Sequence, residues 1–209
     1  KMKSFVKYFN IFDINLTKKE LSFFEEYLKT LQEWNKKINI TSLKTTNDIV
    51  IKHFLDSLSV LKFIDISGSL VDIGSGGGFP GIPIKIKNPS IELVLIEANR
   101  KKANFLKTVI RTLELECVDV YNGRAEFFEK ERCFDFAISR AFANTSDFCR
   151  IACRLVKNGG FIIAMSGKDT AVNEDELQSF GLALQKRFFF ELPEKKGSRT
   201  ILLFRKCFT

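Results

Sequence analysis

Apolar side chains at Leu21, Phe24, Leu28, Leu31 and Ile38 return at intervals near three and four, which predicts an amphipathic helix over about residues 18 to 37. Thr17-Lys18-Lys19-Glu20 before it is a capping box, able to satisfy N–H groups that a helix start leaves open. The far end of this helix carries Trp34-Asn35-Lys36-Lys37. Ile49, Val50, His53, Phe54, Leu58 and Leu61 predict a second helix that begins after Thr46 or Asn47. Residues 1–66 therefore read as an all-helical N-terminal extension.

From residue 69 the pattern changes to short apolar runs separated by helical stretches. The runs are Leu70 to Ile73, Ile91 to Ile96, Cys117 to Tyr121, Phe134 to Ser139 and Phe161 to Met165. Helices are predicted over 80–87, 99–113, 145–157 and 173–180, and this alternation means an α/β core with a mainly parallel sheet over residues 67–209. Phe188 to Leu192 and Thr200 to Phe204 flank a turn with Gly197 inside it, which predicts a C-terminal antiparallel hairpin. A plain dinucleotide-binding sheet does not end this way.

Composition narrows the class further. A chain of 209 residues with 45% hydrophobic and 28% charged content, and only 12 glycines and 4 prolines, is neither disordered nor fibrous. Apolar runs stop well short of the ~18 residues that a membrane helix needs. Lys7 and Asn10 interrupt the first apolar stretch, so a cytoplasmic protein is expected. The net charge of +8 favours a polyanionic partner, and the surplus is divided between both segments, with 11 basic and 8 acidic groups in residues 1–66. The five cysteines, Cys117, Cys133, Cys149, Cys153 and Cys207, are scattered and read as reduced thiols, and the single histidine, His53, leaves too few ligands for a structural zinc site. No metal is expected.

The chemistry concentrates in Asp72-Ile73-Gly74-Ser75-Gly76-Gly77-Gly78-Phe79-Pro80-Gly81, where the first predicted strand turns into a helix. Glycines here let the backbone approach a ligand closely, and the next helix offers free N–H groups. Glu97 closes the second strand, where a carboxylate can accept both hydroxyls of a ribose. Together these residues predict an adenosine-containing ligand. Gly76 to Gly81 also satisfies the dinucleotide fingerprint, so a nicotinamide-dependent oxidoreductase is the rival. Asp72 ahead of the glycines and the terminal hairpin favour S-adenosylmethionine. A turn that binds nothing accounts less well for five glycines within eight residues, which lose much entropy on ordering.

Five ordered blocks resemble the bacterial 16S ribosomal RNA guanine-N7 methyltransferase family, also called glucose-inhibited division protein B. They are Trp34 to Ser42 with His53-Phe54-Leu55-Asp56-Ser57-Leu58, then Asp72 to Pro83, Glu97 with Lys101, Lys102, Phe105 and Leu106, Arg124-Ala125-Glu126, and Ser139-Arg140-Ala141. The resemblance implies a Rossmann-like class I methyltransferase fold and S-adenosylmethionine as methyl donor. It implies a guanine in the 530 loop of 16S ribosomal RNA as acceptor, within the 30S subunit or a precursor. Gly74, Phe79, Ala125, Glu126 and Arg140 match the family's cofactor-contacting positions, beside the loop's Gly76 and Gly78 and the strand-end Glu97. Where family members often carry Lys-Gly after the fifth strand, this chain has Ser166-Gly167-Lys168.

Guanine N7 offers a lone pair without first losing a proton, so such a reaction needs orientation and electrostatic fit and no general base. No Pro-Cys pair is present for a cysteine nucleophile. Arg140, at the carboxyl end of the fourth strand, is the candidate catalytic side chain, placed to hold either the donor's carboxylate or an RNA phosphate. His53 shares a helix face with Asp56 and reads as a packing or hydrogen-bonding residue closing the helical segment over the core, or as an RNA contact. Lys36-Lys37, Arg100-Lys101-Lys102 and Lys195-Lys196 are candidate phosphate contacts. A monomer without membrane association is expected. A non-catalytic ribosome-assembly factor on the same fold is the remaining alternative. Calorimetry separates the enzymatic readings: S-adenosylhomocysteine should bind and NAD should not, and the reverse result would restore the oxidoreductase.

Overall fold

Thr17 caps the first long helix as its sequence predicts. Its hydroxyl accepts the Glu20 N–H at 3.2 Å while the Glu20 carboxylate accepts the Thr17 N–H at 2.5 Å. In the computed structural model, which describes residues 2–129, 131, 133–140, 144–167 and 172–207, this helix is α2 (Lys18–Asn35). Ala141 and Lys168 lie outside the described residues. A 3-10 turn (Met2–Phe5) and α1 (Val6–Asn10) precede α2 without a sequence signal, and they bury Met2 and Phe9 completely.

The second predicted helix is a composite. α3 (Thr46–Ile49), a π-helical stretch (Val50–Leu55) and α4 (Asp56–Leu58) run on without a break into a 3-10 turn (Ser59–Lys62). A π turn widens the helix and changes which carbonyls find a partner within it, a geometry that recurs at functional sites.

The sheet has seven strands in the order β3-β2-β1-β4-β5-β7-β6. β1 (Ser69–Ile73), β2 (Glu92–Ile96), β3 (Val118–Tyr121), β4 (Phe134–Arg140) and β5 (Val156–Ser166) are parallel. β6 (Leu182–Glu191) and β7 (Ser198–Lys206) form the antiparallel hairpin, with β7 inserted beside β5. The crossovers are α5 (Gly81–Lys87), α6 (Arg100–Thr112), α7 (Thr145–Leu155) and α8 (Glu174–Ser179). Two boundaries differ from expectation. α7 stops at Leu155 and β5 starts at Val156, because Val156 is extended and pairs with Phe134; the ladder is then interrupted and resumes at Phe161 opposite Phe136. The hairpin arms also reach well past the apolar runs that predicted them.

Alternation along the strands sorts side chains to two faces. Val71, Ala137, Ile162, Ala164, Leu202 and Phe204 pack against Phe148, Ala152 and Leu155 of α7. Leu70, Leu95, Ile138, Ile163, Met165 and Ile201 face the other way, into one apolar cluster with α5, α6 and the N-terminal helices. Much of that cover is aromatic: Phe24 lies 6.2 Å from Phe9 and 5.0 Å from Phe54, and Tyr27 stacks on Phe79 at 5.4 Å. Among the described residues no helix is long and apolar enough to cross a membrane.

Tyr27, fully buried, donates its hydroxyl hydrogen to the Gly77 carbonyl and so ties α2 to the glycine loop. Tyr27→Phe leaves that carbonyl without its partner and should cost about 1–3 kcal/mol. In a domain of this size each kcal/mol corresponds to roughly 2–4 °C of melting temperature. An unchanged melting temperature by calorimetry would show that the bond contributes nothing.

Candidate active site

The glycine loop leaves β1 at the carboxyl edge of the sheet, and its glycines do different work. Gly74 has φ +74° with nothing within 4 Å of where a Cβ would stand, and Gly76, at φ +58°, meets only the Gly74 carbonyl at 3.9 Å. This side of the loop is open. Gly78 instead faces inward, where a Cβ would meet the Tyr27 hydroxyl at 2.5 Å and Ile82 at 2.6 Å, so it is required by packing.

Glu97 is almost completely buried and follows β2 directly. One carboxylate oxygen accepts the Gly76 N–H at 2.8 Å and the other accepts the Asn99 N–H at 2.7 Å. An ionised carboxylate has about four acceptor positions, so two remain for hydroxyl donors. The turn after β3 lies alongside: the Asn122 amide donates to the Glu97 carbonyl at 2.9 Å, and Ala125–Phe127 form a 3-10 turn with Ala125 buried and Glu126 exposed. Arg154 of α7 pins that turn by donating to the carbonyls of Ala125 at 2.7 Å and Phe128 at 2.9 Å.

Phe79 follows the glycines, but its ring is buried, stacked on His53 at 4.4 Å on one side and on Tyr27 on the other. Only its backbone remains available to a ligand.

Arg140, at the end of β4, is drawn into the N-terminal cover. Its guanidinium donates to the Lys52 carbonyl at 2.8 Å, to Asp56 at 3.3 Å and to Nδ1 of His53 at 2.9 Å, and it lies 5.2 Å from the Phe79 ring centre. Arginine can only donate, so Nδ1 must carry a lone pair and the imidazole hydrogen sits on Nε2. Nε2 lies 2.8 Å from the Thr41 hydroxyl, which accepts that hydrogen. Asn35 fixes Thr41 by accepting the N–H groups of Ile40 and Thr41 and donating to the Thr41 carbonyl. A chain of hydrogen bonds thus runs from α2 to the end of β4. Burial first, and the Arg140 charge second, pull His53 down to about 3, so it is neutral at physiological pH.

Asp56 binds two arginines at once: Arg199 of β7 donates its Nε to the second oxygen at 2.9 Å. Sequence reasoning found neither this sharing nor Arg199, because the partners stand 84 and 143 positions from Asp56. A carboxylate on the apolar face of the second helix was the available signal. Beside them lies a recess of about 300 Å3 that Arg140 and Arg199 help to line. Arg199 also comes close to Gly167, within the segment where Ser166-Gly167-Lys168 departs from the usual Lys-Gly.

Asp72 is fully buried on β1. One oxygen accepts the Gly81 N–H at 2.8 Å, and the other has no hydrogen-bond partner among the described residues. Burial pushes its carboxyl up to about 7, with Glu97 adding to the rise and the Gly81 bond and Arg140 opposing it. An open cradle at Gly74, a buried carboxyl oxygen of Asp72 left without a partner and a carboxylate with spare lone pairs at Glu97 fit an amino-acid nucleoside such as S-adenosylmethionine.

The other candidates are dispersed. Trp34 packs edge-on to Phe105 at 5.8 Å in the core cover. Lys196 pairs with Asp48 at 2.9 Å and ties the hairpin turn to α3. Lys36, Lys37, Arg100 and Lys101 are exposed. All five cysteines are free thiols, and burial raises that of Cys149 to about 12. Among the described residues no three His, Cys, Asp or Glu side chains are grouped to hold a metal.

A family model described as rRNA small subunit methyltransferase G, GidB, matches residues 20–200. The chain belongs to this family. The ribosomal RNA small subunit methyltransferase G of Syntrophus aciditrophicus (strain SB) is 41% identical over 206 residues, covering 93% of this chain and 85% of its own. That of Lachnoclostridium phytofermentans is 37% identical over 216 residues, covering 97% and 88%. Among solved structures, a SAM-dependent methyltransferase from Aquifex aeolicus superposes with a TM-score of 0.59 at 15% identity, over 80% of this chain and 96% of that one. That likeness concerns the fold, which is the class I methyltransferase fold that this GidB member's sequence predicts.

Two buried groups at this edge give opposite pH dependences. Folded Asp72 keeps its proton to about pH 7, against an ordinary value of 3.8, so the folded state holds more protons between those limits and stability falls as pH rises. Folded His53 takes its proton only near 3 against an ordinary 6.5, so the unfolded state holds more and stability rises with pH over nearly the same interval. Each slope is at most about 1.4 kcal/mol per pH unit. Asp72→Asn removes the falling contribution, so urea denaturation of that variant should show stability climbing between about pH 4.5 and 6.5 more steeply than in the wild type. Parallel profiles would show that Asp72 is ionised throughout.

Proposed function

We propose that this chain transfers a methyl group from S-adenosylmethionine to N7 of a guanine in the 530 loop of 16S ribosomal RNA. Membership of the GidB family over residues 20–200 carries this reading, and the open carboxyl edge at Gly74 and Glu97 supports it. Bound S-adenosylmethionine supplies a methyl group on a positively charged sulfur.

Everything else falls to the chain. Glu97 accepts the ribose hydroxyls with the lone pairs that Gly76 and Asn99 leave free. Gly74 and Gly76 admit the ligand to the loop, while Gly78 holds the loop's shape against Tyr27 and Ile82. Phe79 contributes its backbone. The turn of Ala125 and Glu126, pinned by Arg154, presents its backbone to the adenine. Arg140 is fixed by Lys52, His53 and Asp56 and directs its charge toward the donor's carboxylate or an RNA phosphate. Guanine N7 has no proton to lose, so no side chain need act as a base, and His53 has its one lone pair committed to Arg140. Rate enhancement then comes from alignment and from a site that tolerates a moving positive charge. The chain works as a cytoplasmic monomer on the 30S subunit or a precursor.

Labelled S-adenosylmethionine and unmodified 30S subunits should yield 7-methylguanosine at one site in the 530 loop by mass spectrometry of the digested 16S RNA. Arg140→Ala strands part of the Asp56 charge and should lower the melting temperature; assayed at a temperature where circular dichroism shows the variant still folded, it should lower that rate by at least about tenfold, ~1.4 kcal/mol in the barrier. Donor binding without RNA methylation would overturn the acceptor; near-normal turnover by the variant would remove the role of Arg140.

A further inference from the structure

The recess beyond Arg140 is left unused by the residues that hold the donor. Its volume of about 300 Å3 lies at the small end of ligand sites, which run from roughly 300 to 1,000 Å3. The end of β5 supplies Met165, β7 supplies Arg199, and the N-terminal segment supplies Leu43, Lys52 and Asp56. In the order β2-β1-β4-β5-β7, Glu97 stands two strands to one side of β4, and Met165 and Arg199 stand to the other. A ligand that used both Glu97 and Arg140 would have to span the ends of β2, β1 and β4. The recess begins at Arg140.

Its charges do not balance. Of the charged side chains that line it, Lys52, Arg140 and Arg199 are basic and Asp56 alone is acidic, with Asp48 near Lys52 outside the lining and shared with Lys196, and His53 is neutral. Arg199 spends Nε on Asp56 and Nη1 on the Ser198 carbonyl, and its Nη2 makes no hydrogen bond among the described residues. Lys52 approaches only Asp48, at 4.0 Å, among those residues. Both arginines are 17% exposed, so their surplus charge is partly withdrawn from water and an anion there is favoured. Leu43 and Met165 give the same recess an apolar wall suited to the face of a base.

Resting on the reading of this chain as an RNA methyltransferase, we propose that the recess receives the acceptor nucleotide, with a purine base against Leu43 and Met165 and its adjoining phosphate on Arg199 and Lys52. A site of this size takes one extruded nucleotide and no base pair, in keeping with recognition of unpaired loops and with chemistry on bases removed from the stack.

The test compares wild type, Lys52→Met and Arg199→Gln in filter binding of labelled 16S RNA that lacks the methyl group, from roughly 50 to 200 mM salt. Each variant should bind severalfold more weakly at low salt, with the slope of log affinity against log salt shallower by about 0.7 for each phosphate that the protein no longer neutralises. S-adenosylhomocysteine affinity, by calorimetry, should stay within about twofold of wild type. Unchanged slopes in both variants would overturn the proposal. If Arg199→Gln unfolds because Asp56 loses a partner, Lys52→Met decides, since Lys52 does not touch Asp56. A wild type that binds RNA with these slopes but transfers no methyl group would sink the proposed activity and leave the nucleotide site standing.

Discussion

One buried carboxylate joins the N-terminal helices to the sheet. Asp56 belongs to the N-terminal helices, and its two oxygens are held by Arg140 from β4 and Arg199 from β7. With only 3% of its side chain exposed, it has little water around it and takes its hydrogen bonds from these two guanidinium groups. Removing a partner from such a group typically costs about 3–5 kcal/mol, because the charge left behind is stranded. The arrangement fixes the helical cover against the carboxyl edge of the sheet, where the glycine loop and Glu97 also lie. Site geometry is therefore set from outside the nucleotide-binding core as much as from within it.

The aromatic residues extend this coupling. The 22 phenylalanines resist explanation from composition, but in three dimensions Phe9, Phe24 and Phe54 lead with Tyr27 to Phe79 and from there to His53. Such ring contacts contribute about 0.5–1.5 kcal/mol each beyond the area they bury. They end on the imidazole that orients Arg140. The ring of Phe79, which sequence resemblance places among cofactor contacts, belongs to this column, so its side chain supports the loop from behind.

Local signals were legible and distant ones were not. The capping box at Thr17, the strand periodicity and the glycine loop each depend on residues a few positions apart, and each lies close to where the pattern put it. The position of Glu97 directly after β2 was legible because an apolar run ends on it. The π stretch around His53 was not, since it leaves the apolar spacing nearly unchanged and is stabilised by what its carbonyls meet, such as Arg140 on the Lys52 oxygen. Val156 reads as the last turn of a helix until Phe134 pairs with it. Arg199 sits in a hairpin with nothing local to distinguish it, and only the antiparallel register of β7 with β5 brings it to the site. The recess is likewise a product of four separate segments.

The insertion of β7 between β5 and β6 also sets an order of events. Among the described residues β6 has no neighbour in the sheet except β7, which follows it in the chain. During synthesis the parallel strands, the glycine loop and the helical cover emerge first, and β6 stays an unpaired edge until the strand after it is made. That same strand delivers Arg199 to Asp56. A nascent chain can thus assemble the glycine loop and the Glu97 turn while Asp56 still lacks its second guanidinium, and that buried cluster becomes complete only when the hairpin closes.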